Sequence, residues 1–325
     1  MRLKLVPTST KFDFFGISKW SIGLSTALVI GTIIAFFTLG LNFGIDFRGG
    51  TMIMVETPEA VEVGEYRSLL RDVVDGDVTV TELSDPSAAL RGEDNNVIMV
   101  RIEQIGDDAA VQNDLIKTVK AALSNSFEGI VFLQTDSVGA KVSGELVKAG
   151  ILAIVLAVGA VLFYIWLRFE WQFSVGAVVA LVHDVFITIG IFCVTQIEFN
   201  LTIIAAILTI VGYSLNDTVV VFDRVRENLR KYKKLELKEV LNRSINETLA
   251  RTIMTSVTTL IALITLYILG GDVIRGFTFA MIWGVIIGTY SSVFVASVIL
   301  LRLGVKRDWD KTGNAAGTQF SDIDA

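Results

Sequence analysis

Six stretches of this sequence are long and apolar enough to cross a lipid bilayer as α-helices, and they constrain the fold most strongly. A spanning helix needs about 20 mostly apolar residues, and its backbone polar groups must find partners inside the segment. The stretches are residues 20–41, 149–167, 173–194, 201–222, 252–269 and 277–301. Hydrophobic residues make up 52% of the 325-residue chain. The sequence therefore predicts a polytopic α-helical membrane protein with six transmembrane helices.

Basic residues are distributed unequally between the two sides of the predicted bundle. Lys and Arg accumulate in both terminal flanks and in the interval 223–250, whereas the short connections on the other side contain only Arg275. Because cytoplasmic loops are enriched in Lys and Arg, both termini are expected in the cytoplasm. The expected organisation is a cytoplasmic segment 1–19, a first helix 20–41, an outer domain 42–147, a five-helix domain 148–302 with a cytoplasmic basic loop 223–250, and a disordered tail 303–325.

The polar interval between the first two helices has the pattern of a small α+β domain. Period-two alternation predicts strands, and longer amphipathic stretches predict helices. The strands are expected at 51–56, 77–83, 97–102 and 130–134, and the helices at 60–74 and 107–127. This order, β-α-β-β-α-β, is that of a ferredoxin-like unit. Gly49, Gly50, Gly139 and Gly144 bracket the domain, either as hinges or as ordinary loop residues.

The sequence offers no recognisable chemistry for an enzyme. It has one histidine, His183, and one cysteine, Cys193, so neither a His/Cys metal site nor an internal disulfide can be built. The outer domain also lacks a phosphate-binding loop and a nucleophile–base pair. We therefore expect a non-enzymatic protein without catalytic residues, cofactor, metal or nucleic-acid partner.

Two carboxylates lie where the chain should be inside the bilayer. Asp184 follows His183 near the middle of the third predicted span, and Asp217 follows Asn216 within the fourth. A charge at the centre of a spanning helix costs about 2.5–3.5 kcal/mol on insertion scales, so such residues usually have a partner or a function. Asp217 is the stronger candidate, because a position a few residues later would lie in water and avoid this cost.

Arg251, at the start of the fifth predicted span, is the natural partner of Asp217. A carboxyl group binds a proton more tightly when it is buried and less tightly beside a guanidinium, so a partner that approaches and retreats gives it two proton affinities. That is the minimum requirement for coupling proton uptake to a conformational change. Thr255 lies one turn beyond Arg251 on the same side. The pattern therefore predicts a proton relay of Asp217, Arg251 and Thr255.

Structural explanations exist for each of these polar residues. Arg251 can extend its side chain to the membrane surface, and membrane Ser and Thr usually donate to their own helix backbone. His183, Asp184 and Asn216 are additional intramembrane polar residues, and packing alone can explain them.

Three segments resemble motifs of the SecD/SecF family of protein-export membrane proteins. GYSLNDTVVVFDRVREN at 212–228 resembles the family's fourth-helix signature, and NETLARTIMTSVTTL at 246–260 resembles its fifth-helix motif. FGIDFRGGT at 43–51 resembles the segment that follows the first helix. The resemblance extends over nearly the whole chain. One departure is visible at 138–144, which reads VGAKVSG where the family often has VGPxVG.

The resemblance implies one half of a two-subunit machine. Such a chain pairs with SecD in a twelve-helix assembly of the resistance–nodulation–division type in the bacterial inner membrane. The pair associates with the SecYEG translocon and its associated export factors, and it uses the proton gradient, or in some relatives sodium, to assist the export of preproteins. Matched motif to motif, Asp217 and Arg251 fall on ion-relay positions, with Thr255 beside them. The outer domain would lie in the periplasm.

Two other functions fit parts of the pattern. A half-subunit of a proton-driven small-molecule efflux transporter of the same superfamily would share the six helices, but it should have a larger outer domain. An intramembrane aspartyl protease would need Asp184 and Asp217 to face each other at one depth.

Overall fold

The described part of the chain forms six long helices and a small sheet domain that follows the first of them. The computed structural model describes residues 10–74, 76–83, 96–104 and 109–305. Residues 1–9 of the predicted N-terminal segment and residues 306–325 of the predicted tail lie outside this range. The first long helix, α1, is Ser18–Thr38.

The sheet domain has the predicted ferredoxin-like order of elements. Its elements are α2 Ile45–Arg48, β1 Gly50–Glu56, α3 Val63–Val73, β2 Val78–Leu83, β3 Val97–Ile102, α4 Ala109–Ser126 and β4 Val131–Val138. The strands form one antiparallel sheet in the order β2-β3-β1-β4. α3 begins three residues later than predicted, because the Thr57 hydroxyl donates to the Glu59 carbonyl and holds the preceding residues in a turn.

The two faces of the sheet have different partners. One face is covered by α3 and α4 and carries an apolar core that includes the fully buried Ile53 and Tyr66. The other face presents Met54 and Met99, which alternate with core residues along β1 and β3. These two methionines and Phe277 line a cavity of about 180 Å³ between the sheet and the long helices. The sheet domain therefore lies directly against one end of the bundle.

Five further helical segments complete the bundle. They are α5 Ala140–Arg168, α6 Trp171–Thr195, α7 Leu201–Lys231, α8 Leu237–Leu269 and α9 Asp272–Ser291, which continues through a π-helical turn Ser292–Ala296 into α10 Ser297–Leu303. With α1, these segments provide six helices that are long and apolar enough to span a membrane, which confirms the predicted spans. α6, α7 and α9 form the centre of the bundle, and α1, α5 and α8 lie around it with most of their surface exposed.

Residues 223–250, treated above as a basic loop, are helical except for the short connection from 232 to 236. Their charges explain this, because they pair with each other along and between α7 and α8. Arg224 bonds both Glu227 on its own helix and Glu247 on α8, and Asn228 also donates to Glu247. Pairs three or four residues apart stabilise a helix in water, so both helices continue past their apolar parts.

α7 and α9 pack closely against each other. A Cβ at Gly284 would overlap the side chain of Ile210, and one at Gly288 would lie 3.0 Å from the Cβ of Ser214. The GxxxG pattern of α9 is thus a packing face, as small residues spaced by four usually are in membranes. It brings the backbone of α9 close to the segment of α7 that contains Ser214 and Asp217.

Residues 40–46 join the sheet domain to the connection between α6 and α7. The backbone of Phe199 exchanges two hydrogen bonds with this segment, donating to Asn42 and accepting from Gly44. The Asp46 carboxylate accepts from the amide of Leu201, the first residue of α7. In addition, Arg101 of β3 forms an ion pair with Glu198. Burial raises the pKa of Glu198, and the neighbouring Arg101 guanidinium partly opposes that shift.

Candidate ion-coupling site

Asp217 lies on the buried side of α7, with 3% of its surface exposed. It shares this side with Ser214 and Thr218, one turn before it and next to it, and the Thr218 hydroxyl donates to the Ser214 carbonyl. Among the described residues, the Oδ2 atom of Asp217 has no hydrogen-bond partner. An unpaired oxygen on a buried carboxyl group is costly, and it leaves Asp217 with an open position for a proton.

Arg251 lies on α8 and is exposed in the isolated chain. Within the described ranges it makes no salt bridge with Asp217, although its charge acts on that carboxyl through space. The two residues therefore lie on packed helices without an ion pair between them. A switching pair needs one state with the two side chains paired and one with them apart, and this structure contains only the second. The assignment of the proton relay therefore stays a prediction.

Thr255 bonds its own helix, because its hydroxyl donates to the Thr252 carbonyl. The neighbouring Thr252 hydroxyl is buried and has no partner within the described residues. Two hydrogen bonds connect hydroxyl groups of α8 to other helices. Tyr213 on α7 donates to Thr259, and Ser256 bonds Thr289 on α9. The hydroxyl face of α8 thus combines backbone bonding with contacts to α7 and α9.

Both oxygens of Asp184 have hydrogen-bond partners, although this residue is only 1% exposed. Its Oδ2 accepts from Ser214 on α7 and from Ser291 at the end of α9, both at 2.6 Å. Its Oδ1 lies 2.9 Å from Nδ1 of His183. Asp184 therefore connects the three central helices, a role that sequence reasoning did not assign to it.

The remaining predicted polar residues differ in their surroundings. His183 is buried, its ring lies beside that of Tyr290, and its Nε2 has no hydrogen-bond partner among the described residues. Asn216 is exposed, about 100° around α7 from the buried Asp217. Sequence reasoning missed Ser214 and Ser291. Ser214 lies inside the α7 motif, and Ser291 belongs to a run of hydroxyl residues, 289–292, at the end of α9. Those two positions were the available signals.

The arrangement can bind and release protons, and it offers little for other chemistry. Two carboxyl groups are linked through α7, since Asp184 bonds Ser214 and Asp217 follows Ser214 by one turn. In the part of the chain that the structure describes, no three His, Cys, Asp or Glu residues are grouped as metal ligands.

Comparison with known families identifies the relationship. The model of the C-terminal region of the protein export membrane proteins SecD/SecF matches residues 118–306. The model of the SecD/SecF GG motif matches residues 34–57. The chain belongs to the SecD/SecF family. The first match contains Asp184, Asp217, Arg251 and Thr255, and the second contains Gly49 and Gly50.

Relatives support the membership over the full length. The protein translocase subunit SecF of Cereibacter sphaeroides is 52% identical over 324 residues, covering 100% of this chain and 99% of the relative. The SecF subunit of Rhodobacter capsulatus is 50% identical and covers 95% of this chain. The SecDF protein of Brucella abortus is 39% identical over 98% of this chain, which corresponds to 41% of that longer protein.

A solved structure confirms the fold. The crystal structure of SecDF from Thermus thermophilus matches with a TM-score of 0.80 and 32% identity, covering 92% of this chain. A second SecDF structure, in a super-membrane-facing form, matches with a TM-score of 0.65 and 34% identity. This SecD/SecF-family chain spans 39% of the length of each of those proteins.

Proposed function

We propose that this chain is the SecF subunit of a SecD–SecF complex in the bacterial inner membrane, which uses the proton motive force to assist protein translocation through the SecYEG channel. The support is its similarity to translocase subunits SecF along the whole chain and to one part of SecDF proteins in which both subunits share one polypeptide. Exported preproteins are the substrate, both termini are cytoplasmic, and the sheet domain lies in the periplasm.

The exposed face of α8 supports the need for SecD. Arg251 is exposed beside the exposed Met254, one turn away, and Ile261 is exposed further along the helix. The guanidinium therefore lies next to apolar surface. A charge facing lipid is costly, and a second set of six helices would cover it.

The observation that carries the proposed mechanism is the buried, incompletely hydrogen-bonded Asp217 opposite the charge of Arg251. Protonation of Asp217 removes its negative charge and therefore its attraction for Arg251, which allows α8 to move relative to α7. A membrane potential of 100 mV supplies about 2.3 kcal/mol for each charge moved. That energy is sufficient to shift the equilibrium between two packing arrangements of α7 and α8.

The motion reaches the sheet domain through the contacts at the start of α7. Asp46 holds the first amide of α7, and Glu198 pairs with Arg101 of β3. α7 is one unbroken helix from this junction to Asp217 and beyond, so a displacement at Asp217 is transmitted along it. Gly49 and Gly50 have positive φ angles and provide the turn on one side of the domain. On the other side, Gly144 lies inside α5 and is neither a hinge nor a loop residue.

Asp217→Asn tests the proposal. In vesicles that contain SecYEG and SecD, the variant should lose gradient-dependent stimulation of export but still co-purify with SecD. The matched control is Asp223→Asn, an exposed carboxylate of the same helix that pairs with Arg168. Full stimulation in Asp217→Asn would remove this carboxyl from the mechanism, and repeating the assay with a sodium gradient distinguishes the coupling ion.

The alternatives have less support. A small-molecule efflux subunit is not favoured, because relatives that match along the full length are protein translocase subunits. A protease would need its two carboxylates to face each other. Here both oxygens of Asp184 are engaged by other residues, including Ser214 and Ser291. Asp217 lies one turn beyond Ser214 and forms no hydrogen bond with Asp184 among the described residues. We therefore propose an accessory, non-catalytic role in export.

A further inference from the structure

His183 and Asp184 form a second buried titratable couple, which the proposed mechanism does not use. They are adjacent on α6, and Nδ1 of His183 lies 2.9 Å from Oδ1 of Asp184. Their side chains are only 7% and 1% exposed. The couple lies at the point where α6 contacts α7 and α9, because Ser214 and Ser291 both bond Asp184 there.

The hydrogen bonds of Asp184 are those of an ionised carboxylate. Ser214 and Ser291 both place a hydroxyl oxygen 2.6 Å from Oδ2, a length typical of hydroxyl donors to a charged oxygen. In the tautomer with a proton on Nδ1, His183 supplies a third donor, to the other oxygen. Three donors leave little reason for a proton on the carboxyl group itself.

The charge of this carboxylate requires compensation inside the membrane. His183 is the one histidine of the chain and the one cationic group that contacts Asp184 in the described ranges. With Nδ1–H donating to Asp184, the free position of the imidazole is Nε2, which is buried and has no partner among the described atoms. The neutral ring leaves a buried negative charge, and the protonated ring leaves a buried N–H without an acceptor.

We propose that His183 and Asp184 form a second intramembrane proton-binding site, in which Asp184 stays ionised and His183 takes up a proton at Nε2. Protonation converts an ionic couple of charge −1 into a neutral one, and the new N–H must then find an acceptor by a change in packing. The π-helical turn that begins directly after Ser291 interrupts the regular helix at this place, and such turns often occur at functional sites.

The surroundings contain few other groups that could titrate in its place. Facing or flanking the couple on the packed helices are Tyr290 on α9, Asp217 and Tyr213 on α7, Ser21 and Ser25 on α1, and Ser292 and Ser297 in the π-helical turn and α10. The remaining charged residues of these helices lie towards helix ends; they are Lys19, Asp272, Arg275, Arg302 and the charged residues of α7 between 223 and 231, together with those of α5. Arg251 of α8 acts on Asp217. The site affects the same helix as Asp217 because Ser214 and Asp217 are one turn apart on α7.

A single histidine makes this inference directly measurable. The full-length chain, carrying ¹⁵N only in histidine and no polyhistidine tag, would be reconstituted in lipid bilayers and examined by solid-state NMR as a function of pH. We expect one imidazole, with Nδ1 protonated at the high end and both nitrogens protonated at the low end of the pH range in which the protein stays folded. A ring that keeps one protonation state throughout this range would overturn the proposal.

Two sets of variants assign the titration to the couple. Asp184→Asn should move the midpoint by about one pH unit or more, since an adjacent charge has been removed, and Asp223→Asn should leave it unchanged. If Asp184→Asn does not fold, Ser291→Ala should shift the midpoint and Ser291→Thr should restore it. A midpoint unaffected by Asp184→Asn, or by Ser291→Ala where that variant replaces it, contradicts the inference.

The inference extends the proton coupling proposed above, and its test is separate from that of the proposed function. The NMR measurement needs no export activity, so a silent His183 would remove the second site alone. Normal export by Asp217→Asn would instead contradict the proposed relay and leave the His183 titration standing.

Discussion

Arg101 of β3 and Glu198 of the α6–α7 connection form an ion pair that joins the sheet domain to the helical bundle. Their side chains are only 15% and 22% exposed. Pairs of this kind are intermediate between exposed ones, which contribute little, and fully buried ones, which are expensive to break. The pair is therefore a suitable place to measure how firmly the two parts of the molecule are connected.

The coupling within this pair should be measurable by a double-mutant cycle. Arg101→Gln should cost more stability in the wild-type chain than in a Glu198→Gln background, because it leaves a largely buried carboxylate without its counter-charge. We expect a difference of about 1–2 kcal/mol, read from thermal unfolding in lipid nanodiscs. The control is the pair of Asp114 and Lys117, each 78% exposed, for which the coupling should be near zero. Equal coupling in the two pairs would show that burial of Arg101 and Glu198 has no energetic consequence.

Glu198 should also make stability depend on pH. Burial raises its pKa above the usual 4.5, so the folded state holds this proton more tightly than the unfolded chain. Its contribution to the free energy of unfolding is therefore greatest at low pH and decreases as pH rises through the raised pKa. The melting temperature of the wild-type chain should fall relative to that of Glu198→Gln as pH increases from 4.5. A constant difference between the two proteins over this window would refute the assignment.

The contact between α7 and α9 should be intolerant of a single added methyl group. Gly284→Ala places a Cβ against Ile210, so the helices must separate, and we expect a loss of about 1–3 kcal/mol. Gly159→Ala on α5 is the matched control, because nothing lies within 4 Å of its Cβ. That control should be neutral or slightly stabilising, as alanine favours helix over glycine. The comparison is made by melting temperature in the same lipid, and similar losses in both variants would contradict the packing argument.

Asp46 should act as a cap for α7 through its hydrogen bond to Leu201. Asp46→Ala removes the acceptor and should cost about 1 kcal/mol, with faster hydrogen exchange of the amides at the start of α7. Asp46→Asn keeps an acceptor oxygen and should retain most of the protection. If Asn behaves like Ala, the negative charge at the helix N-terminus is what matters, and the hydrogen bond is secondary.

The sequence was sufficient for the spans and for the sheet domain, and the reason is periodicity. Each span is a long apolar stretch, and strands such as Val78–Leu83 alternate clearly, so both kinds of element could be located from the residue pattern alone. The extensions of α7 and α8 were harder to predict, because their stability depends on pairs such as Arg224 with Glu247, which are far apart in sequence and close only after the hairpin forms.

The polar centre of the bundle was predictable only in part. Buried carboxylates in apolar segments are visible in the sequence, so Asp184 and Asp217 could be selected. The partners of Asp184 could not be predicted. Ser214 and Ser291 come from two helices whose relative rotation depends on packing at Gly284 and Gly288. The position of Arg251 relative to Asp217 also depends on helix packing. The two residues lie on neighbouring helices and form no ion pair among the described residues.

Only Gly139 separates the last strand of the sheet from α5, which begins at Ala140, the position where the family often has proline. Two dihedral angles are too few for a domain to swing as a tethered module on a flexible linker does. The last strand is therefore carried directly by α5, and a tilt of that helix is passed to the sheet domain as a lever passes on a rotation. A longer spacer inserted after Gly139 would uncouple the two before it disturbed either fold.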